Sequence, residues 1–425
     1  MSNLGCHPSR LFIIRSCLAA AFLVFSANLG FISFFSGASR ILSQYGLSKG
    51  SLHTVDDAVR QSASDPEAHY ARSVVLLDTD QYADAVKELE TAVTLRPEDY
   101  YLWMELGRAS EDAGDLTRAE SAFRQSVRLA PYYAQPRWLL GNLMLRNGEQ
   151  DKGFAELRLA TNSDEKLFPA LTDLAWSFYD GDVRSTIEAT EPQTNAATLE
   201  LAEFFINHGK RDGVDLLRAS AGLPQANIEL LVARLLQRKD FVSAFEVWLL
   251  VHPPQTPGGT TIADGSFEQA DLATGLGFSW RISPEVSTLG RRLEVGTAQS
   301  GSRCLKFQFK GISDPNADLV FQYVVVEPGV KYRLRFAARG KELVTASLPL
   351  VAILDATNAA LLIAQSEAVP RGSSGWQEYS VDFETSATQE AIRIIVRRQQ
   401  CSSKPCPIFG ETWFDSFVLE KREKR

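Results

Sequence analysis

The sulfur atoms offer the most definite chemistry in this 425-residue sequence, whose five cysteines are Cys6, Cys17, Cys304, Cys401 and Cys406. Cys401 and Cys406 flank Ser402-Ser403-Lys404-Pro405, a turn-forming insert, so in an oxidising compartment a disulfide is expected there. Zinc is the competing use, but residues 260–425 hold no histidine, and Cys304 alone does not complete four ligands. Cys304 lies in an alternating apolar run and reads as a small buried side chain. The histidines (His7, His53, His69, His208 and His252) are scattered and share no motif. There is no nucleophile elbow, phosphate loop or metal-ligand cluster, and the chain is expected not to be an enzyme.

A second chemistry comes from arginine and lysine on alternating strands. Leu305-Lys306-Phe307-Gln308-Phe309-Lys310, Tyr332-Arg333-Leu334-Arg335-Phe336 and Ile392-Arg393-Ile394 each alternate apolar with polar residues, the period of a half-buried strand. With Leu305, Tyr332, Leu334, Phe336, Ile392, Ile394 and Val396 inward, the opposite positions include Lys306, Lys310, Arg333, Arg335, Arg393 and Arg397. If those strands are neighbours, they form a basic stripe, and guanidinium forks suit carboxylate or phosphate. An acidic polysaccharide is then a coherent ligand. The rival reading is a solvated sheet face neutralised by Asp and Glu on adjacent strands.

The elements that must position these residues divide the chain. Arg10 and Arg15 precede an uncharged apolar stretch, Cys17 to Phe35. A helix of about twenty such residues, at ~1.5 Å rise each, crosses a ~30 Å hydrocarbon core. Positive residues before it place residues 1–16 in the cytoplasm and the bulk of the chain outside it. A cleaved signal peptide is the alternative to a retained anchor at 17–35. The expected setting is a bacterial inner membrane, single-pass, with the bulk in the periplasm or outside the cell. The net charge of −8 argues against a nucleic-acid partner. It is uneven: residues 50–259 hold 20 Lys/Arg against 33 Asp/Glu, and residues 260–425 hold 20 against 19. The composition of 253–260, rich in proline and glycine, reads as a linker between helical residues 55–252 and an all-β segment, 261–421.

Within 55–252 the sequence repeats. Pro97 and Pro131 are 34 residues apart, as are Ala85 and Ala119, and Leu106-Gly107 and Leu140-Gly141. The copy from Tyr100 to Pro131 resembles the tetratricopeptide repeat (TPR). Trp103, Leu106, Gly107, Ala119, Phe123 and Pro131 fall at that family's signature spacings, while Ser110 and Ser126 depart from it. The chemistry is packing: small Gly107 and Ala119 let two helices approach, large Trp103 and Phe123 fill the space between hairpins, and proline ends the second helix. Copies at Pro66–Pro97 and Ala134–Glu165 flank it, and less regular ones follow, for five or six hairpins in all. The resemblance implies a protein or peptide partner on a concave surface, and the acidic excess favours a basic or extended one. A purely structural spacer is the alternative.

The segment 261–421 resembles the galactose-binding-like jelly roll of carbohydrate-binding modules. The residues that carry this are Asp264-Gly265-Ser266-Phe267-Glu268, Gly277-Phe278-Ser279-Trp280, Ser300-Gly301-Ser302-Arg303-Cys304, Pro328-Gly329, Trp376-Gln377-Glu378-Tyr379 and Trp413-Phe414-Asp415-Ser416-Phe417. The resemblance implies a β-sandwich and, through Glu268 and Asp415, a structural calcium. Both carboxylates read equally as turn-capping acids, and no cofactor is required. It also implies sugar binding through aromatic faces and planar polar side chains, with Trp280, Gln322 and Tyr323 as candidates beside Arg333, Arg335, Arg393 and Arg397. Trp280 and Trp376 fall where a framework role is commoner. The expected fold is therefore multidomain: a transmembrane helix, an all-α TPR-like solenoid and a jelly-roll sandwich. The expected function is a membrane-anchored, non-catalytic scaffold binding a protein and a glycan, in envelope or exopolysaccharide assembly. The alternative is a protein-interaction adaptor whose sandwich does not bind sugar.

Overall fold

The computed structural model describes residues 8–220, 222–253, 262–269, 277–282, 289–312, 314, 317–401 and 405–422. The chain divides into two compact units, Met1–Gln193 and Thr194–Arg425.

The first unit is helical. Helix α1 spans Pro8–Lys49, followed by α2 (Leu52–Gln61), α3 (Pro66–Leu77), α4 (Tyr82–Leu95), α5 (Tyr100–Asp112), α6 (Leu116–Leu129), α7 (Ala134–Arg146), α8 (Gln150–Ser163), α9 (Phe168–Phe178) and α10 (Val183–Thr190). The three regular sequence copies are the hairpins α3/α4, α5/α6 and α7/α8. Aspartates start many of these helices: Asp65 accepts a hydrogen bond from the Glu67 N–H, Asp99 from Tyr101, Asp115 from Arg118 and Asp182 from Ser185. Such N-caps satisfy amide groups that have no partner within the helix. Part of the acidic excess of this region is therefore capping chemistry rather than a surface for a partner. Between the two helices of a hairpin the chain turns through a left-handed residue, Gly114 and Gly148 at φ 81°, a conformation glycine adopts without strain.

The 34-residue pattern is read out as close packing. A Cβ on Gly107 would collide with the Phe123 ring, and one on Gly141 would lie 2.7 Å from Leu157 Cγ. Phe123 packs with Met104, Ala119, Leu140, Leu143 and Met144, joining α5/α6 to α7. Trp103 packs beside Val86, Leu89, Leu102 and Leu106, and its Nε1 donates to the Pro97 carbonyl at 2.8 Å. Pro131 is exposed and follows the end of α6.

Helix α1 differs from the 17–35 expectation. It continues to Lys49, and its last turns pack on α2 and α3: Ser39 Oγ donates to the Ala58 carbonyl at 3.0 Å, and Gly46 lies against Val55. Serine and glycine here let the helices approach as a further hairpin, outside the TPR spacing and so outside the 55–252 bounds. Among the described residues no helix is long and apolar enough to cross a membrane. Leu18, Phe22, Leu23, Val24, Phe25, Phe31 and Phe34 are all exposed.

The second unit begins with α11 (Asn195–Asn207), α12 (Asp212–Ala219), α13 (Gln225–Gln237) and α14 (Phe241–Trp248), and continues into ten strands. One sheet holds β1 (Arg281–Ile282), β4 (Val320–Val325), β9 (Ala391–Arg398), β6 (Pro349–Asp355) and β7 (Leu362–Gln365), in that spatial order. The other holds β2 (Leu289–Val295), β3 (Arg303–Ile312), β10 (Pro407–Lys421), β5 (Lys331–Thr345) and β8 (Gln377–Glu384). All pairings are antiparallel. The expected inward residues, Leu305, Tyr332, Leu334, Phe336, Ile392, Ile394 and Val396, share one core with Phe307, Val351, Ile353 and Phe414.

The composition boundary at 253–260, which lies outside the described residues except at its first position, is not the packing boundary. Trp248, Val232 and Leu235 of the helices enclose Phe278, and Tyr323 and Val325 of β4 pack against the same cluster. Helices α11–α14 therefore belong with the sandwich, because burying Phe278 and Trp248 couples segments that a local reading of sequence keeps apart.

Candidate functional site

The helical unit gathers its most varied chemistry on the first helices of three successive hairpins, α3, α5 and α7. Tyr70 and Tyr101 meet across α3 and α5, with hydroxyls 3.1 Å apart and ring centroids at 5.7 Å. Burial, followed by that shared hydrogen bond, raises the Tyr70 phenol well above its usual range. Tyr101 stays 40% exposed, so one face of the pair is open. Next along, Tyr100 and Tyr133 bring their rings to 4.9 Å. Glu111 of α5 pairs with Arg146 of α7. Half-buried Trp138 accepts, at its carbonyl, a hydrogen bond from Asn142 Nδ2 at 2.8 Å.

Glu105 sits within this row, one turn from Tyr101. It is only 8% exposed, and burial raises its carboxyl, opposed by Arg108 at 3.5 Å. The row therefore offers one aromatic pair joined by a hydrogen bond and a second in ring contact, beside Arg108 and the Glu111–Arg146 pair. Such a surface can hold apolar side chains against rings while charges set register. Of the TPR packing residues, Leu106, Gly107, Ala119 and Phe123 are buried. The tyrosines escaped the sequence reading because they fall outside the TPR signature. Their spacing carries the signal: Tyr70 and Tyr101 are three short of the 34-residue period, one helical turn apart on successive first helices.

A second polar network links α2, α3 and α4. His69 Nδ1 lies 2.6 Å from Glu88 Oε2, and its Nε2 lies 3.0 Å from the Ala63 carbonyl. Glu88 also pairs with Arg72, whose Nε reaches Asp56 Oδ1 at 2.6 Å. Both atoms facing the ring are oxygens, an arrangement that suits a ring protonated at both nitrogens. The hydrogen bond to Glu88 holds its pKa above the usual histidine value.

The sandwich residues expected to touch sugar are engaged otherwise. Trp280 is 2% exposed and donates to the Asp264 carbonyl at 3.0 Å. Gln322 is fully buried and binds both the N–H and the carbonyl of Ala263, at 3.1 and 2.7 Å. Tyr323 lies under α14, with the Phe241 ring at 5.1 Å, and the Arg281 guanidinium stacks over it at 5.4 Å. Each therefore serves the core or the docking of the helices.

The basic stripe is not formed. Arg333 and Arg335 lie on β5 in one sheet, whereas Arg393 and Arg397 lie on β9 in the other. Local alternation gives facing but not pairing, and strand order places these residues on opposite outer faces. Each is also occupied. Arg333 binds both oxygens of Asp382 at 2.7 and 2.8 Å, and Arg335 pairs with Glu420. Arg393 pairs with Asp318 at 2.5 Å, and Arg397 donates to Gln365 at 3.4 Å. Lys306 is buried between Glu294 and Glu411, at 3.1 and 2.8 Å, and its ammonium lies over Trp413 at 4.7 Å. Arg339 continues that row, stacked between Trp413 at 4.1 Å and Trp376 at 5.3 Å. Burial would raise the Glu294 carboxyl, but donors from Trp413, Lys306, Arg292 and Thr297 outweigh it and bring the pKa down to about 2.

Glu268 and Asp415 bind one turn from two sides. Glu268 accepts from the N–H groups of Ser302 and Arg303 at 2.7 and 2.8 Å and from the Ser302 hydroxyl at 2.6 Å. Buried Asp415 accepts from the N–H groups of Gln299, Ser300 and Ser416 at 2.8, 3.0 and 2.6 Å. These donors compensate the carboxylates with amide dipoles. Calcium needs a surrounding of oxygens, and among the described residues no third acid or histidine joins the pair. Both carboxylates are thus occupied as turn-capping acids. Cys401 and Cys406 are joined by a disulfide, and Cys304 is a buried free thiol.

Residues 70–134 match the family model described as tetratricopeptide repeat. Among curated proteins, tetratricopeptide repeat protein 33 of Xenopus laevis is 29% identical over 91 residues, 21% of this chain. The chain spans 35% of the length of that relative. Among solved structures, MamA 41-end from Desulfovibrio magneticus RS-1 is 21% identical, with 37% of this chain and 97% of that one covered at a TM-score of 0.33. YrrB, described as a TPR protein with an unusual peptide-binding site, is 18% identical, with coverages of 38% and 88% and a TM-score of 0.31. Nothing in these likenesses identifies the β-rich C-terminal region as a carbohydrate-binding module. From Tyr70 to Ala134, where the paired tyrosines and the close-packed glycine lie, the helical array is similar to tetratricopeptide repeats.

Proposed function

We propose that this chain is a non-catalytic adaptor that binds a protein segment along α3, α5 and α7 and is held at a membrane by α1. The observation that carries the reading is the open row of Tyr101 and Arg108 on α5 and Tyr133 at the start of α7, beside the Glu111–Arg146 pair. A basic or extended segment suits it, since residues 50–259 keep an acidic excess even with several aspartates used as caps. Screening the full chain against an array of extended peptides tests this. Peptides with basic and apolar side chains should be retained, and Tyr101→Ala with Tyr133→Ala should weaken them at least about tenfold, the scale of losing anchor contacts. Equal retention by wild type and variant would overturn the reading.

Membrane attachment is supported by the exposed apolar side chains of α1 and by Arg10 and Arg15 before them. A periplasmic setting at a bacterial inner membrane agrees with the Cys401–Cys406 disulfide, which needs an oxidising compartment. Flotation of the full chain with vesicles, compared with a chain beginning at residue 36, separates attachment from its absence. The adaptor reading is preferred to a glycan-binding one because Trp280, Gln322 and Tyr323 are committed to packing. Retention of residues 194–425 on any neutral or acidic glycan would reverse that preference.

A further inference from the structure

The disulfide Cys401–Cys406 lies where β9 hands over to β10, and its two halves differ in surroundings. Cys401 is half-buried, whereas Cys406 is 4% exposed. Against Cys406 lies Arg398, the last residue of β9 and itself 2% exposed. Arg398 Nη2 donates to the Cys406 carbonyl at 3.0 Å and reaches Cys406 Sγ at 3.3 Å. The same guanidinium is held by the Ser347 carbonyl and the Thr345 hydroxyl, each at 3.2 Å. A permanently charged group, fixed from three sides, thus touches the buried sulfur of the pair.

From this asymmetry we infer that Cys401–Cys406 is a redox-exchange site that takes a dithiol reductant at Cys401 and releases Cys406 as a thiolate held by Arg398. The reductant thiolate attacks the more accessible Cys401 Sγ, and a new S–S bond forms as the Cys401–Cys406 bond breaks. The electron pair of the broken bond goes to Cys406 Sγ. The second thiol of the reductant then attacks the mixed disulfide, leaving the reductant oxidised to its own disulfide. Cys401 leaves as a thiolate and takes up one proton. Overall, two electrons pass to the protein pair and the reductant loses two. A neighbouring arginine lowers a thiol pKa, and exchange is faster the lower the pKa of the leaving thiol. Arg398 therefore favours both this direction of attack and the reduced state.

Two measurements on the full chain test the inference. The first compares Cys401→Ser with Cys401→Ser/Cys406→Ser by thiolate absorbance against pH; the difference isolates Cys406 and leaves Arg398 in place. Cys406 should ionise at least about one pH unit below the ~8.5 of a free thiol. Ionisation at or above that value overturns the proposal. The second follows reduction of the native disulfide by dithiothreitol, read by mass spectrometry of the alkylated 401–406 peptide. Arg398→Gln should slow it roughly tenfold and Arg398→Lys should restore most of the rate, a recovery that a loss of packing alone would not give. Equal rates in wild type and Arg398→Gln also overturn it, and if Arg398→Gln does not fold, the first measurement decides alone.

Discussion

At the scale of single residues, the helical unit turns on contacts with little tolerance. Gly107 leaves no room for a methyl group beside Phe123, so Gly107→Ala should destabilise the unit by about 1–3 kcal/mol, the range for forcing extra volume into a packed core. Phe123→Ala removes the ring instead, and about 3–5 kcal/mol is expected; urea unfolding with an unchanged slope would register both. His69 adds a pH dependence. Its folded pKa is raised by Glu88, so its stabilising contribution is complete below the unfolded value of about 6.5 and is lost as pH rises through the folded pKa. Thermal melts between about pH 6 and pH 9 should show this loss in wild type and not in His69→Gln. A loss of equal size in both would assign it elsewhere.

At the scale of elements, the sequence was most informative where the physics is local. The 34-residue spacing placed α3/α4, α5/α6 and α7/α8 because each copy closes its own hairpin through residues such as Gly107 and Phe123. Alternation told which side of β3, β5 and β9 faces the core, since facing depends on neighbours along one strand. It did not tell that Arg333 and Arg393 belong to different sheets, because pairing is a long-range property. The same limit hid the link between α14 and the sandwich: Trp248 and Phe278 are separated by a proline- and glycine-rich run that looks like a clean break. Since Phe278 is fully buried there, Phe278→Ala should cost about 3–5 kcal/mol. It should also split the unfolding of residues 194–425 into separate helical and sandwich steps. A single transition with unchanged stability would contradict the shared core.

At the scale of the whole molecule, charge and exposed chemistry separate by region. Acidic side chains concentrate in residues 50–259, apolar ones stand exposed on α1, and the sandwich neutralises its arginines strand by strand. Glu268 and Asp415 illustrate that economy, because both carboxylates are satisfied by amide donors from one turn. Chelators should accordingly leave the thermal stability of the sandwich unchanged, whereas a fall of several degrees would bring back a bound cation. The partner-binding row is the part of the molecule on which the functional account rests. Its most direct test is titration of the full chain with a peptide retained in the array screen, repeated with Tyr101→Ala and at low and high salt. The account predicts that Tyr101→Ala weakens binding at least about tenfold, the cost of an aromatic anchor. Added salt should weaken basic peptides selectively. Affinity unchanged by Tyr101→Ala and by salt would contradict it.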